Sequence, residues 1–128
     1  MTARSFTSAP TSAAAARRFV VGELGDVPTD IRESITLMVS ELASNAIRHA
    51  RTPFTVSVER TGDVVKVEVT DSGSGDPVRR SPDPSEPAGR GLRIVDALAD
   101  EWGVHHARGA DKTVWFSIDV HSDRTLAS

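Results

Sequence analysis

Residues 54–71 read FTVSVERTGDVVKVEVTD, two runs of alternating valine and polar residues on either side of Thr-Gly-Asp. Alternation with a period of two puts the valines of a strand on one face, and a glycine between two such runs lets the chain reverse tightly. The segment predicts a β-hairpin whose apolar face must be covered. Helical segments on both sides can supply the cover. Residues 13–24, AAAARRFVVGEL, predict a helix that Thr11 or Ser12 can cap and that stops near Gly22–Gly25. Thr29 or Asp30 after Pro28 opens a longer helix to about Ala50. Its residues Ile31, Ile35, Met38, Val39, Leu42, Ala46 and Ile47 recur in steps of three and four. Thr52–Pro53 ends it, because the residue before proline is pushed out of the helical region. Downstream, GLRIVDALADEW has helical periodicity, and two more strands are predicted near Trp102–Ala107 and Thr113–Val120. The order helix, helix, strand, strand, loop, helix, strand, strand predicts an α+β two-layer sandwich, with helices on one face of a mostly antiparallel sheet.

The chain has 128 residues, which predicts a single domain over 1–128. Its net charge of −3 argues against a main task of gripping nucleic acid. Cysteine is absent, which removes disulfides, thiolate zinc sites and cysteine nucleophiles and fits a cytoplasmic location. The first sixteen residues lack the apolar stretch of a secretory signal, and no segment approaches the roughly 20 apolar residues that span a bilayer.

Three places break the pattern of a plain scaffold. The first is ELASNAIRHA, residues 41–50, where Glu41 and Asn45 stand one turn apart on a helix otherwise committed to the core. His49 lies a further turn along. A carboxylate and a neutral amide oxygen on one face suit a hard cation such as Mg²⁺, with phosphates supplying the other oxygens, or a water held between them. A solvated helix face gives the same pattern. The second is Asp71-Ser-Gly73-Ser-Gly75 at the end of a strand. The carboxylate can accept from an amine such as adenine N6, and glycines without Cβ let a flat ligand approach; an ordinary Asp-Gly turn reads the same way. The third is Gly89-Arg90-Gly91-Leu92 leading into a helix, where backbone N–H groups form a ready anion site, or simply the end of a loop. Between the last two, residues 72–91 hold four of the nine glycines and four of the seven prolines, a long loop of the kind that closes over ligands. No Gly-Lys-Ser/Thr occurs, so the chain is not a P-loop protein. Trp102 and Trp115 read as packing residues.

The order of these boxes resembles the GHKL ATP-binding fold shared by gyrase, histidine kinases and MutL. Glu41-x-x-x-Asn45 matches its N box, Asp71-x-Gly73-x-Gly75 its first glycine box and Gly89-x-Gly91-Leu92 its second. The chain is most similar to anti-sigma-factor serine/threonine kinases of the RsbW and SpoIIAB type in their actinobacterial form, over a core of about 4–120. The resemblance implies ATP and Mg²⁺ as ligands and a site in which Asn45 holds the metal. By the same resemblance Glu41 would be the catalytic residue, orienting or deprotonating the attacking hydroxyl. Asp71 would accept from adenine N6, Gly73 and Gly75 would let the base approach, and Gly89, Arg90, Gly91 and Leu92 would wrap the phosphates. Thr113 would touch adenine through water, and Arg17 would contact partners. It implies a sigma factor and a STAS-domain anti-sigma-factor antagonist as partners, and a possible homodimer. The lid, about 76–88, departs from the family: it is rich in proline and has no lysine.

Overall fold

A computed structural model describes residues 1–72, 87–106 and 111–121, with the backbone alone at 50 and 87–91. In chain order the elements are β1 (Thr2–Phe6), α1 (Ser12–Leu24), α2 (Thr29–Asn45), a π-helical turn (Ala46–Ala50), β2 (Phe54–Thr61), β3 (Val64–Asp71), α3 (Pro87–Leu98), β4 (Glu101–His106) and β5 (Lys112–Asp119). The five strands form one sheet in the order β1-β2-β3-β5-β4, antiparallel at every pairing. The α+β sandwich read from the alternating valines is borne out.

The pleat explains the layers. Val56, Val69 and Val114 stand in one cross-strand row, and Val58, Val67 and Phe116 in the next. All six are buried, in one cluster with Phe19, Val20 and Leu24 of α1, Ile31, Ile35, Met38, Val39 and Leu42 of α2, and Val95 of α3. The three helices therefore cover the same face of the sheet. The other face carries Thr55, Ser57, Lys66, Glu68, Thr70, Thr113 and Trp115 at the intervening positions. There Lys66 pairs with Glu68 at 3.5 Å and its ammonium lies 4.9 Å from the Trp115 ring centroid. The Trp115 indole lies flat on Gly103, where a Cβ would come within 2.7 Å of its Nε1. Trp115 is thus a packing residue of the outer face, as the sequence suggests. Trp102 packs against the core and donates to Asp96 Oδ1 at 2.8 Å.

Four local differences from the sequence reading have physical reasons. The N-terminal strand β1 escapes it because Thr2–Phe6 is an exposed edge with no alternation of its own. It is held by tertiary contacts: Phe6 stacks on Phe54 at 5.6 Å between ring centroids, and Arg4 lies 5.1 Å over the Phe19 ring. Thr11 stands at the N-cap of α1, yet its side chain makes no capping bond. The helix expected to run to about Ala50 is α-helical only to Asn45; the next five residues form a π turn, closed by Arg51 in the left-handed region at φ 57° with its N–H on Ala46 O. Finally, α3 starts at Pro87, inside the predicted loop, because proline suits a helix's first turn, where its missing N–H is not needed. It ends at Leu98, short of the predicted Trp102. There Asp100 turns the chain, donating its N–H to Ser117 O and accepting the Asp119 N–H on Oδ2 at 2.6 Å.

One arginine joins the helical layer to the hairpin. Arg60 Nη1 donates to Leu24 O at 2.8 Å and Asp26 O at 3.1 Å, and its Nε donates to Gly62 O at 3.3 Å. A cation on the last carbonyls of α1 also meets the negative end of the helix dipole. Arg60→Ala should lower the unfolding free energy by about 1–2 kcal/mol in urea denaturation. Arg60→Lys should restore only part of it, because one ammonium cannot span three carbonyls.

Candidate functional site

The same pleat singles out one end of the sheet. Along the helix-facing side, the last cross-strand row runs Phe6, Phe54, Asp71, Lys112, His106. It begins apolar and turns charged at its centre. Asp71 occupies the position that Val65, Val67 and Val69 lead to along β3, and it is 7% exposed. A carboxylate this deep costs desolvation free energy that a valine would not, so packing alone does not explain it. Among the described residues the buried polar side chains are Ser12, Asp71 and Ser117, and Asp71 alone of these can carry charge.

Helix α2 brings its polar stripe to this end. Glu41 and Asn45, half-buried and one turn apart, lie on the last turns of α2, beside the buried Leu42, Ala43 and Ala46. After the π turn only residues 51–53 intervene before Phe54, the direct cross-strand neighbour of Asp71. Three residues cannot carry the chain far, so the end of α2 and the Asp71 carboxylate are held at one end of the sandwich. Asn45 Oδ1 accepts from Arg48 Nη2 at 3.3 Å. The π turn sits directly after Asn45 and re-aims Arg48 and His49 relative to a continuing α-helix. Such single-turn widenings are frequent at functional sites, and nothing in the alternation of apolar residues signals this one. Ser8 Oγ donates to Ile47 O at 3.3 Å and ties the turn to the segment before α1.

The other residues singled out from the sequence divide. Gly73 and Gly75 lie outside the described residues, as does most of the lid. Gly89, Arg90 and Gly91 fall within the first turns of α3 instead of before it, with only their backbone described. Leu92 is a half-buried residue packed against the core cluster, which gives it a structural task of its own. Thr113 is a correction. It pairs with Thr70 across the strands, and the two hydroxyls bond at 2.7 Å. Successive side chains of a strand point to opposite faces, so Thr113 lies on the outer face and Asp71 on the helix-facing one. The resemblance carries Thr113 over by local sequence, and strand register overrules it: Lys112 is the β5 residue that shares Asp71's face. Arg17 donates to Ser40 Oγ at 3.2 Å, and Ser40 Oγ in turn donates to Thr36 O, so the guanidinium joins α1 to α2.

The donor set suits magnesium of one kind only. Among the described residues no group of three His, Cys, Asp or Glu side chains could hold an ion. A single amide oxygen from Asn45, with Glu41 one turn away, fits an ion that takes its remaining ligands from phosphate and water. No described helix is long and apolar enough to cross a membrane.

Solved structures share this architecture. A histidine kinase of Acinetobacter baumannii, AdeS, superposes with a TM-score of 0.53 at 18% identity, over 71% of this chain and 48% of that one. The histidine kinase domain of a blue-light activated histidine kinase from Erythrobacter litoralis superposes with a TM-score of 0.58 at 27% identity, over 84% of this chain and 57% of that one. This chain spans about half the length of each. No curated protein sequence is a significant match. Residues 6–118 match the histidine kinase-like ATPase domain, a stretch that takes in β2, β3 and both ends of the polar row. With a helix ending in Glu41 and Asn45, a buried carboxylate closing the central strand and that match over most of its length, the chain belongs to the histidine kinase-like ATPase domain family and is an ATP-binding domain of the GHKL type.

Proposed function

We propose that this domain is a protein serine/threonine kinase of the anti-sigma-factor type. In this reading it binds ATP with Mg²⁺ at the end of the sandwich carrying Asp71, phosphorylates a serine or threonine of a STAS-domain antagonist, and sequesters a sigma factor when that antagonist is absent or phosphorylated. The observation that carries it is the placement of Glu41 and Asn45 one turn apart, at the end of the sheet where Asp71, the one buried carboxylate among the described residues, lies.

The roles follow from the chemistry of each group. The Asp71 carboxylate accepts the N6–H of adenine, and burial strengthens that bond by excluding competing water. Asn45 would hold the magnesium ion, which when bound neutralises phosphate charge. Glu41 accepts the proton of the attacking hydroxyl as the hydroxyl oxygen bonds to the γ-phosphorus; the bond from γ-phosphorus to the β,γ-bridging oxygen breaks and ADP leaves. Arg90, at the start of α3, would meet phosphate as a charged donor. Arg17, on α1, offers a partner surface supported from beneath by Ser40.

A second reading is supported by the lid sequence, which has no lysine to bring to the γ-phosphate. There the same pocket holds ATP without transferring phosphate, and the nucleotide only sets the conformation that a partner meets.

Two measurements test the nucleotide site and then separate these readings. Asp71→Asn should weaken ATP binding about ten- to a hundred-fold in calorimetry with the fold retained, the loss of one charge-assisted bond. Unchanged affinity would place the base elsewhere. Incubation with γ-labelled ATP and a panel of STAS-domain proteins should label one of them, and Glu41→Ala should abolish the labelling while leaving ATP affinity within a few-fold. Tight ATP binding with no labelled protein would leave the binding-module reading standing and remove the kinase.

A further inference from the structure

Strand register makes Lys112 the direct cross-strand neighbour of Asp71. The chain has two lysines; Lys66 lies on the outer face against Glu68 and Trp115, and Lys112 is the other. Two observations place Lys112 on the helix-facing side. The alternation of β5 puts Lys112 in phase with Val114, Phe116 and Ile118, all buried in the core. Its row, Phe6–Phe54–Asp71–Lys112–His106, carries the buried Phe54 and Asp71 on that side. Lys112 is half-buried, and a lysine so placed can bury its aliphatic stem while its ammonium reaches outward. Directly opposed residues in an antiparallel pair have Cβ atoms about 4.5–5.5 Å apart. A carboxylate and an ammonium so placed present an acceptor and a donor side by side.

That arrangement is complementary to one edge of a purine. In adenine the exocyclic N6 amine is a donor, and it is flanked by two ring nitrogens, N1 and N7, that are acceptors only. A lone carboxylate satisfies the amine and leaves the adjoining ring nitrogen to water. We propose that Lys112 is a base-reading residue of this domain, donating from its ammonium to the ring nitrogen beside the amine that Asp71 accepts. The pair then reads donor and acceptor together. This rests on the assignment of Asp71 to adenine, and the inference is confined to the residue beside it.

The test is a chemical cycle on the full chain, in which one perturbation is made on the protein and the other on the base. Calorimetry is run with ATP, 1-deaza-ATP and 7-deaza-ATP on the native protein, on Lys112→Met, which keeps the apolar stem, and on Asp71→Asn. The native protein should bind ATP about ten- to a hundred-fold more tightly than one of the two deaza analogues, and Lys112→Met should bind ATP about as weakly as the native protein binds that analogue. For that analogue Lys112→Met should cost less than about threefold, because the partner atom is already gone. Which analogue shows the coupling identifies the ring nitrogen. An equal loss for all three nucleotides would mean that Lys112 acts through its charge or by supporting Asp71, and would overturn the proposal; so would no loss for any. In both cases a weakened Asp71→Asn would leave the nucleotide site itself in place. Failure of the native protein to bind ATP would overturn the two readings together.

Discussion

The period-two pleat of β3 is the constraint on which the rest depends. This strand is paired on both sides, with β2 and with β5, so its register is fixed over all eight residues. Val65, Val67 and Val69 point to the helices and anchor the core; the next residue in phase is Asp71. Slipping the pairing by one position would turn the valines out to water and take the carboxylate out of the helix-facing row. Core and site are thus specified by one alternation, and the site inherits its precision from the packing of the valines. The burial that holds the strand in place also makes a charge at its end effective, because a carboxylate shielded from water binds a donor more strongly than an exposed one.

Much of this architecture is legible in the sequence, and the parts that are not share a cause. The hairpin, α1, α2 and the last two strands announce themselves by local period, because each buries one face. Strand β1 does not, since only Phe6 at its end reaches the core and the pairing comes from β2. The π turn does not either: the apolar steps through Ala46 and Ile47 continue as an α-helix would require, and the widening is a backbone event closed by Arg51. At α3 the glycines near 89–91 mark a loop by propensity, yet Pro87 starts the helix before them. Thr113 shows the limit most plainly. Motif matching compares neighbours along the chain, whereas a strand's facing is settled by its partners, and the Thr70–Thr113 bond settles it outward.

The candidate site is assembled on the sheet and on the helix that packs in the middle of the helical layer. Asp71 and Lys112 stand at the ends of strands bound on both sides or in register with the sheet's centre, and Glu41 and Asn45 sit on the helix that packs against both of its neighbours. These are rigid supports of the kind that hold a ligand's base and metal within narrow tolerance. Gly89 and Gly91 of the second glycine box lie in the first turns of α3. On the proposed function, recognition of the base would rest on the sheet.

The π turn has a consequence for how this chain tolerates change. In an α-helix each residue advances about 100° around the axis, so the one extra residue taken up between Ala46 and Ala50 works as a phase shifter between helix and sheet. Upstream of it, the helix's facing is set by Leu42 and Ala43 in the core; downstream, the strand's facing is set by Phe54 against Phe6. The turn lets the two phases disagree by one residue. A one-residue deletion there closes the widening, swings Arg48 and His49 by about a quarter of a turn and pulls Phe54 towards the wrong side of the sheet. Length in this short stretch is therefore tightly constrained, because a change in the number of residues alters the alignment of two layers.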